Sequence, residues 1–209
     1  MSALARAGSF VCASLLACAS TPDARAPDTA LPPESPAGEL GAGFRSIPAK
    51  GQGLELDLPD ADNWRRDARD ARSFLAVHAA TRSRLLVRAW SSDRIVHADD
   101  CERELRQLRP GLPALSTEQR LEERSLRVAG DHASLLVAGV ASSPAGELAG
   151  YALLFGSNGR HCVALIYSTA AQGAAAPRVI GERLAAMTRV TFERVRSVGI
   201  DGRVRVPRR

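Results

Sequence analysis

Between Leu54 and Leu58 apolar and polar positions alternate strictly, Leu-Glu-Leu-Asp-Leu, before Pro59. A period of two predicts a half-buried strand, and the proline predicts its end. Phe74 to Ala79 and Leu85 to Trp90 are two further segments rich in strand formers, joined through Thr81-Arg82-Ser83 as a short turn. The period then changes. Cys101, Leu105 and Leu108 fall at i, i+4 and i+7, one narrow apolar stripe of a helix that Asp99 or Asp100 would cap and Pro110-Gly111 would end.

Beyond it the pattern returns to strands: Leu121 to Val128, His132 to Ala141 after Gly130-Asp131, Leu148 to Ser157 after a Ser142-to-Glu147 turn, and Arg160 to Tyr167. Asn158-Gly159 between the last two predicts a two-residue hairpin, since both residues tolerate the positive φ of a type I′ turn. Pro177 opens a long helix with Ile180, Leu184, Met187, Thr191 and Val195 on one side. Arg203 to Val206 alternates briefly and is read as an edge strand or as no element at all. Strands, a helix, a meander and a closing helix predict an α+β domain, an antiparallel sheet with helices packed on it, over residues 45–198. That length suffices for one domain with an ordinary core.

The opening Leu54-x-Leu56-x-Leu58-Pro59, with Trp64 soon after, and the element order over Phe44 to Val198 resemble the Mog1/PsbP-like fold. That fold occurs in several envelope lipoproteins and in the photosystem II extrinsic protein. The resemblance implies an α/β/α sandwich serving as a binding or scaffold module, although fold alone does not settle function.

The region before the domain has a different grammar. Arg6 precedes an apolar stretch from Ala7 to Ala17, too short to span a bilayer, which is the layout of a secretory signal. It ends Leu15-Leu16-Ala17-Cys18, which resembles the lipobox of bacterial lipoproteins. The resemblance implies a signal peptide over 1–17, three acyl chains on Cys18 including palmitate, and no other cofactor. Ala19, where an inner-membrane retention signal would place Asp, implies the outer membrane. Ala17-Cys18-Ala19 also fits an ordinary signal peptidase cutting after Ala19, which would release a soluble periplasmic or secreted protein. From Cys18 to Phe44 the chain holds Pro22, Pro27, Pro32, Pro33 and Pro36 and few bulky apolar residues, the composition of an extended disordered tether.

Charge and chemistry narrow the function classes. The chain carries a net charge of +5 with Lys50 as its only lysine, so mechanisms that need a catalytic or phosphate-binding lysine have almost no candidate. Seven arginines lie from Arg189 onward, against Glu193 and Asp201. Those of the basic tail 199–209 (Arg203, Arg205, Arg208, Arg209) are candidates for contact with an anionic surface. Nucleic acid is not an expected partner, because aromatic stacking platforms are missing.

With Cys12 in the signal and Cys18 lipidated, Cys101 and Cys162 are left as an even pair in an oxidising compartment, and a disulfide is expected. A helix lying on the sheet would bring Cys101 to Cys162, placed roughly opposite Phe155. The sharper alternative is a metal site of His97, Cys101 and Cys162. His161 and Cys162 face opposite sides of a strand, so such a site has at most three ligands. No catalytic residue is nominated: Gly-x-Ser-x-Gly, His-Glu-x-x-His and a phosphate loop are all absent from the sequence, and Gly156-Ser157-Asn158-Gly159 reads as a hairpin turn. The sequence therefore points to an outer-membrane-anchored lipoprotein acting as a non-catalytic module that binds an envelope protein or a small ligand. A small hydrolase-like envelope enzyme, or the same domain in soluble form, are the alternatives.

Overall fold

The computed structural model describes residues 40, 43–142 and 147–198. Its elements follow the order β1 (Phe44–Ala49), β2 (Leu54–Pro59), β3 (Trp64–Asp67), β4 (Phe74–His78), β5 (Ser83–Ser91), α1 (Ala98–Leu108), β6 (Arg120–Val128), β7 (His132–Ser142), β8 (Leu148–Asn158), β9 (His161–Ala171), α2 (Ala176–Ala186) and β10 (Arg196–Ser197). Strands 3 to 9 build one seven-stranded antiparallel sheet in the order β3-β4-β5-β9-β8-β7-β6, and β1-β2-β10 build a small second sheet. The domain is α+β, as the order of sequence patterns predicts. Among the described residues no helix is long and apolar enough to cross a membrane.

The two faces of the large sheet are covered differently. One face carries Ala76, Leu85, Val87, Leu136, Leu154, Leu165 and Tyr167 into the main core. There α2, the π-helical turns Met187–Phe192 that prolong it, and the small sheet close over them. Ile180, Leu184, Met187, Thr191 and Val195, the predicted helix side, are all buried. Gly150 lets α2 approach: a Cβ there would lie 2.4 Å from Ile180 Cγ2. The opposite face carries a smaller apolar layer, with Leu105 of α1 over Leu86, Leu153, Phe155, Ala164 and Ile166.

Several elements depart from the sequence reading, each for a physical reason. Strand β1 has no counterpart in the sequence reading, which ends the tether at Phe44 and takes Leu54 to Leu58 as the first strand. It buries only Ala49 and contains Pro48, so it shows no alternation. Strand β2 is not half-buried, and Pro59 is its last residue rather than a stop beyond it. It is central in its sheet, and Asp57 on its outer face is 2% exposed beneath hydrogen bonds from Ser46 and Arg196. The N-cap of α1 is His97, with Asp100 at N3 accepting from the His97 N–H at 3.0 Å; neither Asp99 nor Asp100 is the cap. Leu108 is 56% exposed, so the α1 stripe ends at Leu105. At the hairpin Asn158 pairs with His161, leaving Gly159-Arg160 as the loop. Only Gly159 of the pair has positive φ, which suits a type II′ turn with glycine first rather than the expected I′. This moves Cys162 opposite Ser157, not Phe155.

Candidate functional site

The register of the large sheet fixes what its α1 face presents. One cross-strand row reads Arg127, Ala133, Ser157, Cys162, Trp90 from β6 to β5. The next reads Ser125, Leu135, Phe155, Ala164, Arg88, and the third Glu123, Val137, Leu153, Ile166, Leu86. Residues directly opposite across antiparallel strands share a face, so each row is a line of neighbouring side chains.

Helix α1 lies mainly over β8 and β9 and is fastened there in three ways. Cys101 and Cys162 form a disulfide, with their Cα atoms 5.6 Å apart. Glu104 accepts from Trp90 Nε1 and from Ser92 Oγ, both at 2.9 Å. Arg106 donates to the carbonyls of Leu112 and Pro113, tying down the loop that follows the helix. The helix reaches β7 only slightly, and among the described residues the β6–β7 margin of this face is left partly uncovered.

Two recesses that meet at Leu135 fill that margin. The inner one, about 290 Å³, is floored by Leu135, Val137, Leu153 and Phe155 and walled by Leu115, with Glu102, Arg106 and Arg120 around it. The outer one, about 640 Å³, runs past Ala133 and Ser157 between Ser125 and Arg127 on β6 and His97, Ala98 and Asp99 at the start of α1. Together they make a groove that is mainly apolar along its length, with Glu102, Arg106 and Arg120 at its inner end and Asp99, Arg127, Ser125 and Ser157 at its outer end.

Its charges are unequally committed. Arg106 and Arg120 are spent on Glu102 and Glu123 and on nearby carbonyls. Asp100 is spent as well. The His97 N–H, then Arg94 and Arg103, hold its carboxyl below the usual value, against the cost of burial. Arg127, by contrast, has no hydrogen bond or ion pair among the described residues, and neither do the hydroxyls of Ser125 and Ser157. Ser157 is only 8% exposed.

A second polar constellation lies on the opposite face, inside the core. His78 Nε2 donates to Asp60 Oδ2 at 2.9 Å, and its Nδ1 lies 2.8 Å from Thr81 Oγ1. The Thr81 N–H also points at Nδ1, which makes Nδ1 the acceptor and leaves the hydrogen on Nε2. Thr81 continues to Ser83, Ser83 to Tyr167 OH and Thr169 Oγ1, and Arg183 closes the network on Thr81 O, Thr169 Oγ1 and Ala170 O. Asp60 titrates below its ordinary value because Asn63, and then His78, hydrogen-bond its carboxylate, while burial opposes them. Burial raises Tyr167 and lowers Arg183. Carboxylate, imidazole and hydroxyl are thus in line, but His78, Thr81 and Ser83 are each no more than 2% exposed, and neither recess reaches them. The network pairs most of its buried polar atoms, with Arg183 Nε left without a partner among the described residues, and its hydroxyls lie away from both recesses.

Of the residues nominated from sequence, Cys101 and Cys162 are brought together as the expected disulfide. That bond uses both thiols of the alternative metal set and leaves His97 as a helix cap on the groove wall. Among the described residues no three His, Cys, Asp or Glu side chains cluster as metal ligands. His132 beside Asp131 is tied through Nδ1 to the Ala129 carbonyl at 3.0 Å. Cys18 and the tail arginines Arg203, Arg205, Arg208 and Arg209 lie outside the described residues. Sequence reasoning missed Ser125, Arg127 and Ser157. Ser157 stood in the Gly156-Ser157-Asn158-Gly159 run, and only the strand register distinguishes it from a turn residue.

No family model and no curated protein matches the chain. Among solved structures it is similar to a crystal structure from Bacteroides thetaiotaomicron VPI-5482, at 11% identity and a TM-score of 0.42. The match covers 72% of this chain and 48% of that one, so the chain spans about half the length of the protein it matches.

Proposed function

We propose that this chain is an outer-membrane lipoprotein, anchored through acylated Cys18 and held out on its proline-rich tether, whose Mog1/PsbP-like domain acts as a non-catalytic binding module. The groove on the α1 face is its binding site. The observation that carries this reading is the groove itself. Its apolar floor lies beside α1, uncovered among the described residues, and its total size falls in the range of small-molecule sites. Among the described residues its serines, Ser125 and Ser157, have no hydrogen-bonded histidine or carboxylate to activate them, which favours binding over catalysis. The buried Asp60-His78-Thr81 line does not favour an enzyme either, since its hydroxyl faces the core.

Two measurements test the proposal. The intact mass of the mature protein from its native host is expected to start at Cys18 with three acyl chains; a bare chain starting at Ser20 would refute the anchor. An apolar fluorescent reporter is expected to bind the domain, and Leu135→Gln, at the junction of the two recesses, is expected to weaken it severalfold. Equal binding by wild type and Leu135→Gln would refute the groove.

A further inference from the structure

Resting on the groove reading above, we infer that the groove's ligand is a fatty carboxylate. Its head sits among Arg127, Ser125 and Ser157, and its single alkyl chain runs over Leu135 toward Phe155.

The outer end of the groove suits an anion. Ser157 is more than nine-tenths buried, yet its hydroxyl has no partner among the described residues. Its side chain belongs to the α1 face, the face the outer recess occupies. The hydroxyl oxygen itself is not sealed in the interior but opens on the recess, where it can donate to a ligand oxygen. Arg127 lies in the same cross-strand row with only Ala133 between them, and Ser125 is two residues along on the same side of β6. Two strand spacings, roughly 10 Å, separate the Arg127 and Ser157 backbones, a span an arginine side chain and a carboxylate cross together. The first residues of α1, Ala98 and Asp99, line the same recess, where helix-terminal N–H groups favour negative charge.

The charge count selects the head group. Arg127 is the one unspent guanidinium in the groove among the described residues, while Asp99 on the opposite wall is already paired with Arg103 at 3.8 Å. One unspent cation, with the wall carboxylate already paired, suits a monoanion better than a dianionic phosphate. A guanidinium fork also grips a carboxylate with two parallel hydrogen bonds.

The floor selects the tail. Strands β7 and β8 are interior strands, their main-chain groups engaged with neighbours on both sides. A peptide lying on them would find no free N–H or C=O for its own backbone, whereas an alkyl chain needs none. Leu135, Val137, Leu153 and Phe155 supply only apolar contact.

The test is calorimetric titration of the full chain, carrying Cys18→Ser so that no attached lipid competes. The probes are dodecanoate, dodecyl maltoside and dodecyltrimethylammonium, each below its critical micelle concentration. Dodecanoate is expected to bind about tenfold tighter than the other two, the equivalent of one charge-assisted contact. Arg127→Gln, on an exposed side chain, is expected to erase that preference while retaining maltoside binding, and Ser157→Ala to reduce it. Equal affinity for all three head groups, or an unchanged preference in Arg127→Gln, overturns the inference and leaves the groove reading standing. Tighter binding of an apolar peptide with a free C-terminus overturns the ligand class. Failure of every probe to bind, with Leu135→Gln indistinguishable from wild type, overturns the groove reading as well.

Discussion

Breaking the Cys101–Cys162 bridge is expected to release α1 before it unfolds the domain. The helix has eleven residues and buries only Cys101 and Leu105 among its side chains. Ordering its backbone costs about 1–2 kcal/mol per residue, whereas full burial of a leucine returns about 1.5–3 kcal/mol. Helical hydrogen bonds and the Glu104 contacts narrow that deficit, but packing alone does not hold the helix down. The bridge joins residues 61 apart, and the chain-entropy relation then gives about 4 kcal/mol of stabilisation. At about 2–4 °C per kcal/mol for a domain of this size, the Cys101→Ala/Cys162→Ala variant is expected to melt roughly 8–16 °C below the oxidised protein. Calorimetry measures the shift, and hydrogen exchange locates it: amides of α1 are expected to lose protection while those of β7, β8 and β9 keep theirs. A melting point within about 3 °C of wild type would refute the entropic estimate. Unchanged α1 protection would refute the claim that the bridge holds the helix.

Gly150→Ala places a Cβ 2.4 Å from Ile180 Cγ2 and is expected to cost about 1–3 kcal/mol in urea denaturation by forcing α2 off the sheet. Gly181→Ala, in the same helix with nothing within 4 Å of the new Cβ, is expected to raise stability by up to about 1 kcal/mol. Tyr167→Phe removes the hydroxyl that meets Ser83 at 3.0 Å in the buried network and is expected to cost about 0.5–1.5 kcal/mol. Stability is also expected to fall with acid in two windows. Burial holds His132 below its ordinary 6.5, so the unfolded chain protonates first and the urea midpoint declines as pH drops below about 6.5; His132→Gln is expected to abolish that decline. Asp60 is held below 3.8 by Asn63 and His78, so its contribution is full above that value and is lost as pH falls through the depressed one, a step Asp60→Asn is expected to remove.

What the sequence made legible, and what it did not, follows from how locally each feature is encoded. Strands β7, β8 and β9 are long and apolar enough to read directly, and α2 announces itself by Pro177 and its apolar side. The disulfide followed from compartment and parity, not geometry, which is why it was anticipated although the register beside it was not. Strand β1 was illegible because its residues are largely exposed and its pairing with β2 is a long-range fact. Strand β3, Trp64–Asp67, is four residues with two exposed arginines, whose strand state comes from pairing with β4. The sequence pattern puts the hairpin one residue early because Asn-Gly satisfies a turn rule by itself. The actual loop, Gly159-Arg160, is chosen by strands that pair all the way to Asn158 and His161.

That displacement by one residue is also why the groove could not be read. With Asn158-Gly159 as the loop, Cys162 would sit opposite Phe155, and Ser157 would be the last residue before the turn. With Gly159-Arg160 as the loop, Ser157 is opposite Cys162, beside the point where the disulfide holds the start of α1. The row then continues outward through Ala133 to Arg127. Large side chains at Ala133 and Ser157 would fill the space between helix and β6; small ones keep it open and let the arginine overhang it. The groove is therefore a property of three strands in one register with a helix stapled at one end. Each of its residues taken alone, a turn serine, a small strand residue and a surface arginine, has an ordinary structural reading. Ala133→Leu tests this account, because it adds bulk to an exposed position of that row without touching the core. It is expected to leave the melting temperature within about 2 °C, as surface substitutions generally do. Dodecanoate binding is expected to weaken severalfold, as the outer recess closes over Ser157. Undiminished binding with an unchanged melting point would show that the row of small side chains does not shape the site.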